Sequence, residues 1–326
     1  MAIIFFLLDI LSGPVYIPLH EIFGVFFNNV SADASSYIII VQSRLPKAIT
    51  AVVAGTALPV AGLMMQTYFR NPVAGPDILG VSAGAGLFVA IVTLTAGTIF
   101  AVNIYNSVSI IIAAILGSVV ILLIILSVAS KVRDSITLLI FGLMFGMAIS
   151  AVVGVLQYFS EKGALKLFIL WTFGSLSGVT WDQLYILIPI IVICIVAVFL
   201  YSKQLNLLLL GESYSKSLGL DHQRSKYIII LLTGILTGSI TAFCGPIAFI
   251  GIAVPHIARM LWKTNDHFIL IPASVLCGIT ILLICDVISQ TPGDAGILPL
   301  NSITAFMGAP FIIYILWRNQ HMKTFF

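Results

Sequence analysis

Long apolar runs, separated by short polar loops, constrain this chain more than any other feature. Runs of helical length cover residues 47–67, 79–97, 107–130, 136–159, 184–201, 227–243, 247–262, 268–289 and 300–317. A helix needs about 20 apolar residues to cross a bilayer. The runs therefore predict an all-α polytopic membrane protein, in which residues 1–326 form a single transmembrane domain.

Residues 1–12 form a tenth apolar run, which brings the expected number of helices to about ten. At a rise of about 1.5 Å per residue this run is too short to cross a bilayer. It also lacks the basic flank of a cleaved signal peptide. We interpret it as the outer part of a shortened first helix.

Composition excludes several other classes of protein. Charged residues make up 8% of the chain and hydrophobic residues 60%, whereas soluble domains carry about 25% charged residues. The net charge of +3 comes without a basic run, so nucleic acid is not expected as a partner. No CxxC spacing occurs, which favours buried thiols over disulfides or metal ligands at Cys194, Cys244, Cys277 and Cys285.

The basic residues predict the orientation in the membrane. With ten helices and both termini in the cytoplasm, only Arg44, Lys47, Lys162 and Lys166 of the 15 Lys and Arg residues lie outside. The others fall on the cytoplasmic side: Arg70, Lys131, Arg133, Lys203, Lys216, Arg224, Lys226, Arg259, Lys263, Arg318 and Lys323. Cytoplasmic loops carry an excess of Lys and Arg, so the bias supports this topology.

Three GxxxG pairs indicate close helix packing. They are Gly80 with Gly84, Gly142 with Gly146, and Gly234 with Gly238. Two small residues on one helix face let backbones approach closely in lipid. The pairs predict a many-helix bundle and carry no information about a substrate.

Three polar or broken segments need more than packing to explain them. In RNPVAGPDILG (Arg70 to Gly80), Pro72 and Pro76 fix a tight cytoplasmic turn, and Asp77 is placed to cap the next helix. LNLLLLGESYSKSLGLDHQRSK, within a cytoplasmic segment of about 203–226, predicts one or two short amphipathic helices along the membrane. GPIAFIGIAVPHIARML, from Gly245, combines helix breakers with an apolar setting.

Four blocks of sequence resemble permeases of ABC importers for ferric siderophores, haem and cobalamin, the FecCD type. One is RLPKAITAVVAGTALPVAGLMMQTYFRNPVAGPDILGVSAGAG, which includes Arg70, Asn71 and Pro72. Another is GPIAFIGIAVPHIARML followed by NDHFILIPAS, and a third is LPLNSITAFMGAPFIIYIL. The fourth lies around Leu210 to Gly219, and together the blocks cover nearly the whole chain in the family's order. The resemblance implies a type II ABC importer permease with ten helices per subunit, in which two subunits enclose a central path.

The resemblance also implies a role for the broken segment. Non-helical backbone at membrane depth is tolerated where protein or a water-filled cavity satisfies it. We therefore expect Gly245, Pro246 and Pro255 to face protein or the path, and Pro255 to start a helical turn. No second metal-ligating residue lies near His256, so a hydrogen-bonded structural role is preferred to a metal site.

Energy is expected to come from another subunit. The chain has no Gly-Lys dipeptide and hence no P-loop, so neither ATP hydrolysis nor a cofactor is expected on it. The resemblance implies two ATP-binding subunits, a second permease subunit, and a periplasmic or lipid-anchored binding protein in a bacterial cytoplasmic membrane. It also implies that the coupling segment, about residues 203–226, receives the movement of the ATPases through Leu210, Gly211, Glu212, Lys216, Leu218 and Gly219. Glu212 and Lys216, spaced i,i+4, serve either partner contact or a solvated helix face.

The resemblance maps a gate and a docking surface onto two further places. The gate falls on Asp134 and Ser135 in KVRDSIT, where Asp134 departs from the family's small hydroxylated residue and either alters cargo preference or caps the next helix. Basic residues at the positions of Arg44 and Lys47 dock the binding protein in the family; here they either do so or anchor a helix to lipid headgroups. Gln290 and Ile297 replace a basic and an acidic residue of that surface.

The cargo is not decided by any residue. Ferric siderophore ranks first, then haem, then cobalamin, by how commonly such permeases carry each. Charge inside the apolar runs is scarce, with Asp9 and Asp286 as their only acids, which disfavours an ion-coupled secondary transporter. No nucleophile–base or metal cluster supports the further alternative of an intramembrane enzyme.

Overall fold

A computed structural model describes residues 1–26, 34–99, 107–132, 134–291 and 296–319, and within these ranges every regular element is helical. Arg133 and Lys323, two of the basic residues assigned above to the cytoplasm, lie outside the described residues. A π-helical segment (Ile39–Arg44) runs into α4, and a 3-10 segment (Pro76–Leu79) precedes α5. The α-helices are α1 (Ala2–Leu11), α2 (Leu19–Phe26), α3 (Ser35–Ile38), α4 (Leu45–Phe69), α5 (Val81–Ile99), α6 (Ser107–Lys131), α7 (Ser135–Tyr158), α8 (Lys162–Thr172), α9 (Trp181–Leu200), α10 (Ser202–Leu209), α11 (Glu212–Ser217), α12 (His222–Cys244), α13 (Ile250–Trp262), α14 (His267–Ser289) and α15 (Leu300–Asn319).

The apolar helices follow the predicted runs. In the described part of the chain, 6 helices are long and apolar enough to cross a membrane: Ser35–Phe69, α6, α7, α9, α12 and α14. Four shorter apolar helices, α1, α5, α13 and α15, occupy the remaining runs. The prediction of an all-α polytopic membrane protein is confirmed.

Two helices differ in length from their runs. The helix predicted over 47–67 is continuous from Ser35 to Phe69, 35 residues in all. The polar residues before Leu45 hid this extension, but Arg44 is buried and its charge is met by backbone carbonyl groups. At 13 residues, α13 is only about 20 Å long and too short to cross a bilayer alone.

Helix α4 is the centre of the bundle. It is buried along nearly its whole length and packs against α9, α12, α13 and α14. It crosses α14 where Gly55 meets Gly278: a Cβ atom on Gly55 would lie 2.7 Å from the Gly278 carbonyl oxygen. It crosses α13 where Gly62 meets Gly251, and a Cβ on Gly62 would collide with the Gly251 carbonyl. These close backbone approaches position the broken segment against α4.

The predicted glycine pairs take part in packing with one exception. Gly84 meets Gly117 of α6, Gly142 meets the Ile78 carbonyl, and Gly234 meets Leu122. A Cβ on Gly146 would find no atom within 4 Å, so that position is open. The glycine contacts of α4 lie outside the GxxxG pattern. The four cysteines are all buried and free, as expected.

Candidate functional site

The broken segment between α12 and α13 is held by protein. Gly245 has a φ of 74°, and a Cβ there would lie 2.5 Å from the Trp171 carbonyl oxygen, so glycine is required. The Ser175 N–H donates to the Cys244 carbonyl at 2.7 Å, and the Ala248 N–H donates to Asn301 Oδ1 at 3.0 Å. The turn after α8 and the start of α15 therefore satisfy the backbone that Gly245 and Pro246 leave outside a helix.

Pro255 does not start its helix. Helix α13 begins five residues earlier, at Ile250, after Phe249 with a φ of 67°. Pro255 has no N–H to give the Gly251 carbonyl one turn before it, and that carbonyl lies against Gly62 of α4. The prediction that Pro255 opens the helix is therefore wrong. Pro255 lies inside α13, where it leaves the Gly251 carbonyl free to take part in the crossing with α4. Pro255 is buried, so it faces protein.

His256 has a structural hydrogen bond. Its Nε2 donates to the Pro72 carbonyl at 2.7 Å, and the ring is 8% exposed. One turn later, Arg259 Nη1 donates to Gln66 Oε1 at 2.7 Å. Helix α13 is thus fastened to the end of α4 and to the loop that follows it.

The loop from Arg70 to Gly80 links α4 to the coupling segment. Arg70 ends α4 with a φ of 47°, and its Nη2 donates to the Leu208 carbonyl of α10 at 2.7 Å. Asn71 Oδ1 accepts from the Val73 N–H at 3.0 Å, which closes a local turn. This loop therefore contacts both α13, through Pro72, and α10.

Asp77 acts differently from the cap predicted for it. It lies in the 3-10 segment that begins at Pro76 and ends before Gly80, which has a φ of 72°. Its Oδ1 accepts from the hydroxyl of Ser82, in the first turn of α5, at 2.7 Å. The contact is made to a side chain, because the 3-10 turn separates Asp77 from the free N–H groups of α5.

The coupling segment forms two short helices, α10 and α11, where its pattern predicted one or two. Gly211 joins them with a φ of 104°, and Gly219 follows α11 with a φ of 88°. Leu210 and Leu218 are each 55% exposed. Lys216 Nζ lies 2.6 Å from Glu212 Oε1 on the exposed face, and this hydrogen bond holds the pKa of Glu212 below its ordinary value. The segment therefore presents apolar side chains and one ion pair to its surroundings.

Helix α10 is also tied to α14 and α4. Asn206 Oδ1 accepts from the His267 N–H at 2.8 Å and lies 2.7 Å from His267 Nδ1. His267 Nε2 lies 2.7 Å from Thr67 Oγ1, inside α4. Because an amide oxygen only accepts, His267 Nδ1 carries the proton. Sequence patterns did not single out these residues, because a contact between an Asn and a His 61 positions apart has no local signature.

Asp134 is the N-cap of α7. Its Oδ2 accepts from the Thr137 N–H and from the Thr137 hydroxyl, both at 2.8 Å. These hydrogen bonds hold the pKa of Asp134 below its ordinary value. Ser135, partly exposed, begins the helix. Of the two readings of Asp134, the structure shows the cap.

Arg44 and Lys47 are not on an exposed rim. Each is 4% exposed. The Arg44 guanidinium donates to the Ile10 and Leu11 carbonyls, each at 3.0 Å, and to the Val15 carbonyl. The expectation that these residues offer free charge to a binding protein or to headgroups is wrong in this structure, because α1 and the chain after it cover both.

Lys47 belongs instead to a buried charge cluster, formed by Asp9, Lys47, Asp286 and Gln290. Lys47 Nζ lies 3.0 Å from Asp9 Oδ1 and 2.8 Å from Asp286 Oδ2. Gln290 Nε2 donates to the same two oxygens, at 3.2 and 2.9 Å. The cluster joins α1, α4 and α14 through two carboxylates and one ammonium group.

The sequence contained a signal for this cluster. Asp9 and Asp286 are the only acids of the apolar runs, and charges inside a membrane almost always pair. Lys47 is the matching cation, but its place near a run's outer end led to a prediction of exposure. Gln290, seen only as a departure from the docking pattern, is 8% exposed and completes the cluster, whereas Ile297 is 56% exposed.

The model of the FecCD transport family matches residues 1–318. The chain belongs to the FecCD transport family. The Vitamin B12 import system permease protein BtuC of Klebsiella pneumoniae is 35% identical over 289 residues, covering 88% of this chain and 85% of that protein. The Hemin transport system permease protein HmuU of Yersinia pestis is 33% identical over 298 residues, covering 91% and 88%.

A solved structure has the same fold. It is described as an inward-facing conformation of a metal-chelate type ABC transporter. Its TM-score is 0.82 at 25% identity, over 97% of this chain and 96% of that one. This FecCD chain is therefore a multi-pass membrane permease with the fold of an ABC transporter.

Proposed function

We propose that this chain is the permease subunit of an ATP-driven importer that moves a metal chelate across a bacterial cytoplasmic membrane, with both of its termini in the cytoplasm. The observation that carries the proposal is the FecCD match over residues 1–318. The similarity to BtuC, a permease of a vitamin B12 import system, and to HmuU, a permease of a hemin transport system, supports it. The complex would contain two permease subunits, two ATP-binding subunits and a binding protein.

The coupling segment is the proposed contact with the ATP-binding subunits. Its exposed side chains support this role: Leu210, Tyr214 and Leu218, which lie on or directly after the short helices α10 and α11, are each more than half exposed. Apolar side chains at such a place favour burial against a partner. The exposed pair of Glu212 and Lys216 would then set the register of the contact.

Substitutions in this segment test its role. Glu212→Arg reverses one charge of the exposed pair, and Gly211→Pro forbids the φ of 104°. In the assembled complex both variants are expected to hydrolyse ATP while transporting far less cargo. Glu161→Arg, an exposed acidic residue before α8, is the control. Full transport by both coupling variants would remove the segment from the mechanism.

Helix α7 is the proposed lining of the path and contact with the second subunit. Of the six long apolar helices it contributes least to the interior, because only 17% of its most apolar 18-residue stretch is buried. Ser135 at its start is the proposed gate, next to the cap formed by Asp134. A second copy of the chain would cover the exposed apolar face of α7.

The cargo is proposed to be a ferric siderophore, haem or cobalamin, in that order. All three are metal chelates, the class named for the solved structure of the same fold. Purified complex in vesicles, with ATP inside and binding protein outside, would be offered each chelate in turn. Competition by the other two then identifies the preferred one. Uptake of none of the three would overturn the proposed cargo class.

The alternative of an ion-coupled transporter has one observation in its favour, the buried charge cluster. Every charge in that cluster contacts another member, and Asp9, Lys47 and Asp286 are each less than one-tenth exposed. Such closure favours a clamp between helices over an ion pathway. The two classes differ in whether ATP or an ion gradient drives uptake.

A further inference from the structure

Lys226 is a buried cation with an unusual partner. It lies in the second turn of α12, where it is 2% exposed. Its Nζ donates to the Val132 carbonyl at 2.8 Å and lies 5.9 Å from the centre of the Tyr227 ring. No carboxylate pairs with it among the residues that the structure describes. Burying an unpaired ammonium is unfavourable, so its position calls for a specific interaction.

The partner of Lys226 lies at the start of the gate loop, which is the connection between α6 and α7 that leads to the proposed gate residue Ser135. Helix α6 ends at Lys131, and Val132 precedes Asp134 and Ser135 by two and three positions. The last carbonyl groups of a helix lack intrahelical partners and carry partial negative charge. The Lys226 ammonium therefore satisfies the end of α6 and fixes the near side of the loop, while the Asp134 cap fixes its far side.

A hydrogen bond joins the two ends of the coupling segment beside Lys226. Tyr201, which ends α9, donates from its hydroxyl group to Ser225 Oγ at 2.7 Å. Ser225 is 1% exposed and also donates to the Asp221 carbonyl at 2.8 Å. The two ends of the segment are thus joined at the residue next to Lys226.

Helix α11 is tied to the same turn of α12. Ser215 Oγ lies 2.6 Å from His222 Nε2, and the Leu220 N–H donates to the Ser215 carbonyl at 2.9 Å. Ser215 is fully buried. A displacement of α11 would therefore reach the first turns of α12 directly. Helix α10, by contrast, is fastened to the central helix α4 through Arg70 and to α14 through Asn206.

We propose that Lys226 is the positioning residue that joins the coupling segment to the gate loop. Movement of α11 passes to the start of α12, and the ammonium group carries it to Val132 and thus to Ser135. The inference rests on the proposed function of the coupling segment and the gate. It assigns to one buried side chain the connection between them.

Lys226→Met tests the connection. Methionine has a similar length and volume, removes the charge and the donor, and relieves the burial of an ammonium group. Assembly and thermal stability are therefore expected to be kept. Transport is expected to fall about tenfold, within the range of coupling between sites, while ATP hydrolysis continues. Lys226→Arg, which keeps charge and donor, is expected to retain most transport, and Lys166→Met, at an exposed lysine of α8, is the matched control.

A label at the gate separates coupling from structure. Ser135→Cys would be labelled with a water-soluble maleimide in the assembled complex, with and without nucleotide; the native cysteines are all buried. The labelling rate is expected to change with nucleotide in the Lys226 background and to lose that response with Lys226→Met. If Lys226→Met does not assemble, the neutral Lys226→Gln is read in the same way.

The outcomes distinguish this inference from the function it rests on. If the labelling rate of Ser135→Cys does not change with nucleotide even when Lys226 is present, the proposed gate is overturned. If the labelling rate changes with nucleotide equally in the Lys226 background and in Lys226→Met or Lys226→Gln, only the role of Lys226 is overturned. Loss of transport with a parallel loss of thermal stability in the neutral variants, and no rescue by Lys226→Arg, would assign Lys226 to structure only.

Discussion

Replacing Lys47 with methionine should destabilise the fold far more than replacing Asp9, one of the two carboxylates in its cluster, with asparagine. Among the described residues, Lys47 supplies the one ammonium group between Asp9 and Asp286. Its Nζ lies 3.0 Å from Asp9 Oδ1 and 2.8 Å from Asp286 Oδ2. Without it, two carboxylates that are 0% and 4% exposed remain side by side. The expected result is loosening of α1 from α4 and α14.

The magnitude follows from burial and charge count. Removing one partner of a buried ion pair costs about 3–5 kcal/mol, because it leaves an uncompensated buried charge. Asp9→Asn instead removes the surplus negative charge and keeps an oxygen that accepts from Lys47 and Gln290. Asp9 Oδ2 has no hydrogen-bond partner, so little is lost there. A change within about 1 kcal/mol is expected, the usual net value of one hydrogen bond.

Unfolding by SDS in mixed micelles, followed by circular dichroism, gives the free energies. Wild type would be compared with Lys47→Met, Asp9→Asn, and the neutral triple variant of Asp9→Asn, Lys47→Met and Asp286→Asn. Lys162→Met, at an exposed lysine, is the matched control. The triple variant is expected to recover most of the loss, since well-packed neutral groups often replace a buried ion pair at no cost. Equal effects of Lys47→Met and Asp9→Asn, or wild-type stability of Lys47→Met, would refute the reasoning.

Three further predictions concern single positions. Gly62→Ala should destabilise the protein by about 1–3 kcal/mol or more, because its Cβ enters the α4–α13 crossing; Gly146→Ala, at an open position, should not, and SDS unfolding of the pair checks this. Ser135→Trp should block uptake into vesicles without loss of assembly, because a bulky ring fills the proposed gate; Ser177→Trp, in an exposed loop, is the control, and normal uptake by Ser135→Trp would place the gate elsewhere. Asp134→Ala should lower the unfolding temperature at neutral pH. Because the folded-state pKa of Asp134 is depressed, its contribution to stability is present above the ordinary pKa of about 3.9 and is lost as pH falls through the lower folded value. The unfolding temperatures of wild type and Asp134→Ala should therefore converge in acid. A difference that stays constant with pH would contradict this.

The helical character of the apolar runs was predictable because lipid allows few alternatives. Every apolar run contains one of the helices that the structure describes, and the coupling segment forms α10 and α11 as its amphipathic pattern indicated. Backbone groups in lipid must be satisfied within a helix, so hydropathy identifies the helical segments. It did not give the lengths of the helix that ends at Phe69 or of α13. The resemblance to the FecCD type, based on four long blocks, is likewise confirmed by the family match.

Contacts between distant segments were mostly not predictable, and the signal for the buried charge cluster did not show where Lys47 would point. The direction of Lys47 depends on α1, 38 residues away in sequence, and the contact of Lys226 with Val132 spans 94 positions. Pro255 fits the rule for a helix start, but the crossing of Gly62 and Gly251 places it inside α13. In each case the tertiary partner decided the role, and no local pattern specifies that partner.

The source of energy is the most direct test of the proposed function. Vesicles containing the purified permease with its ATP-binding subunits would be loaded with ATP or with a non-hydrolysable analogue, and a second set, containing the permease alone, would carry a proton or sodium gradient. Uptake of labelled chelate delivered by the binding protein is expected only in complete vesicles with hydrolysable ATP. Uptake by the permease alone under an ion gradient would contradict the account and establish the chain as an ion-coupled carrier.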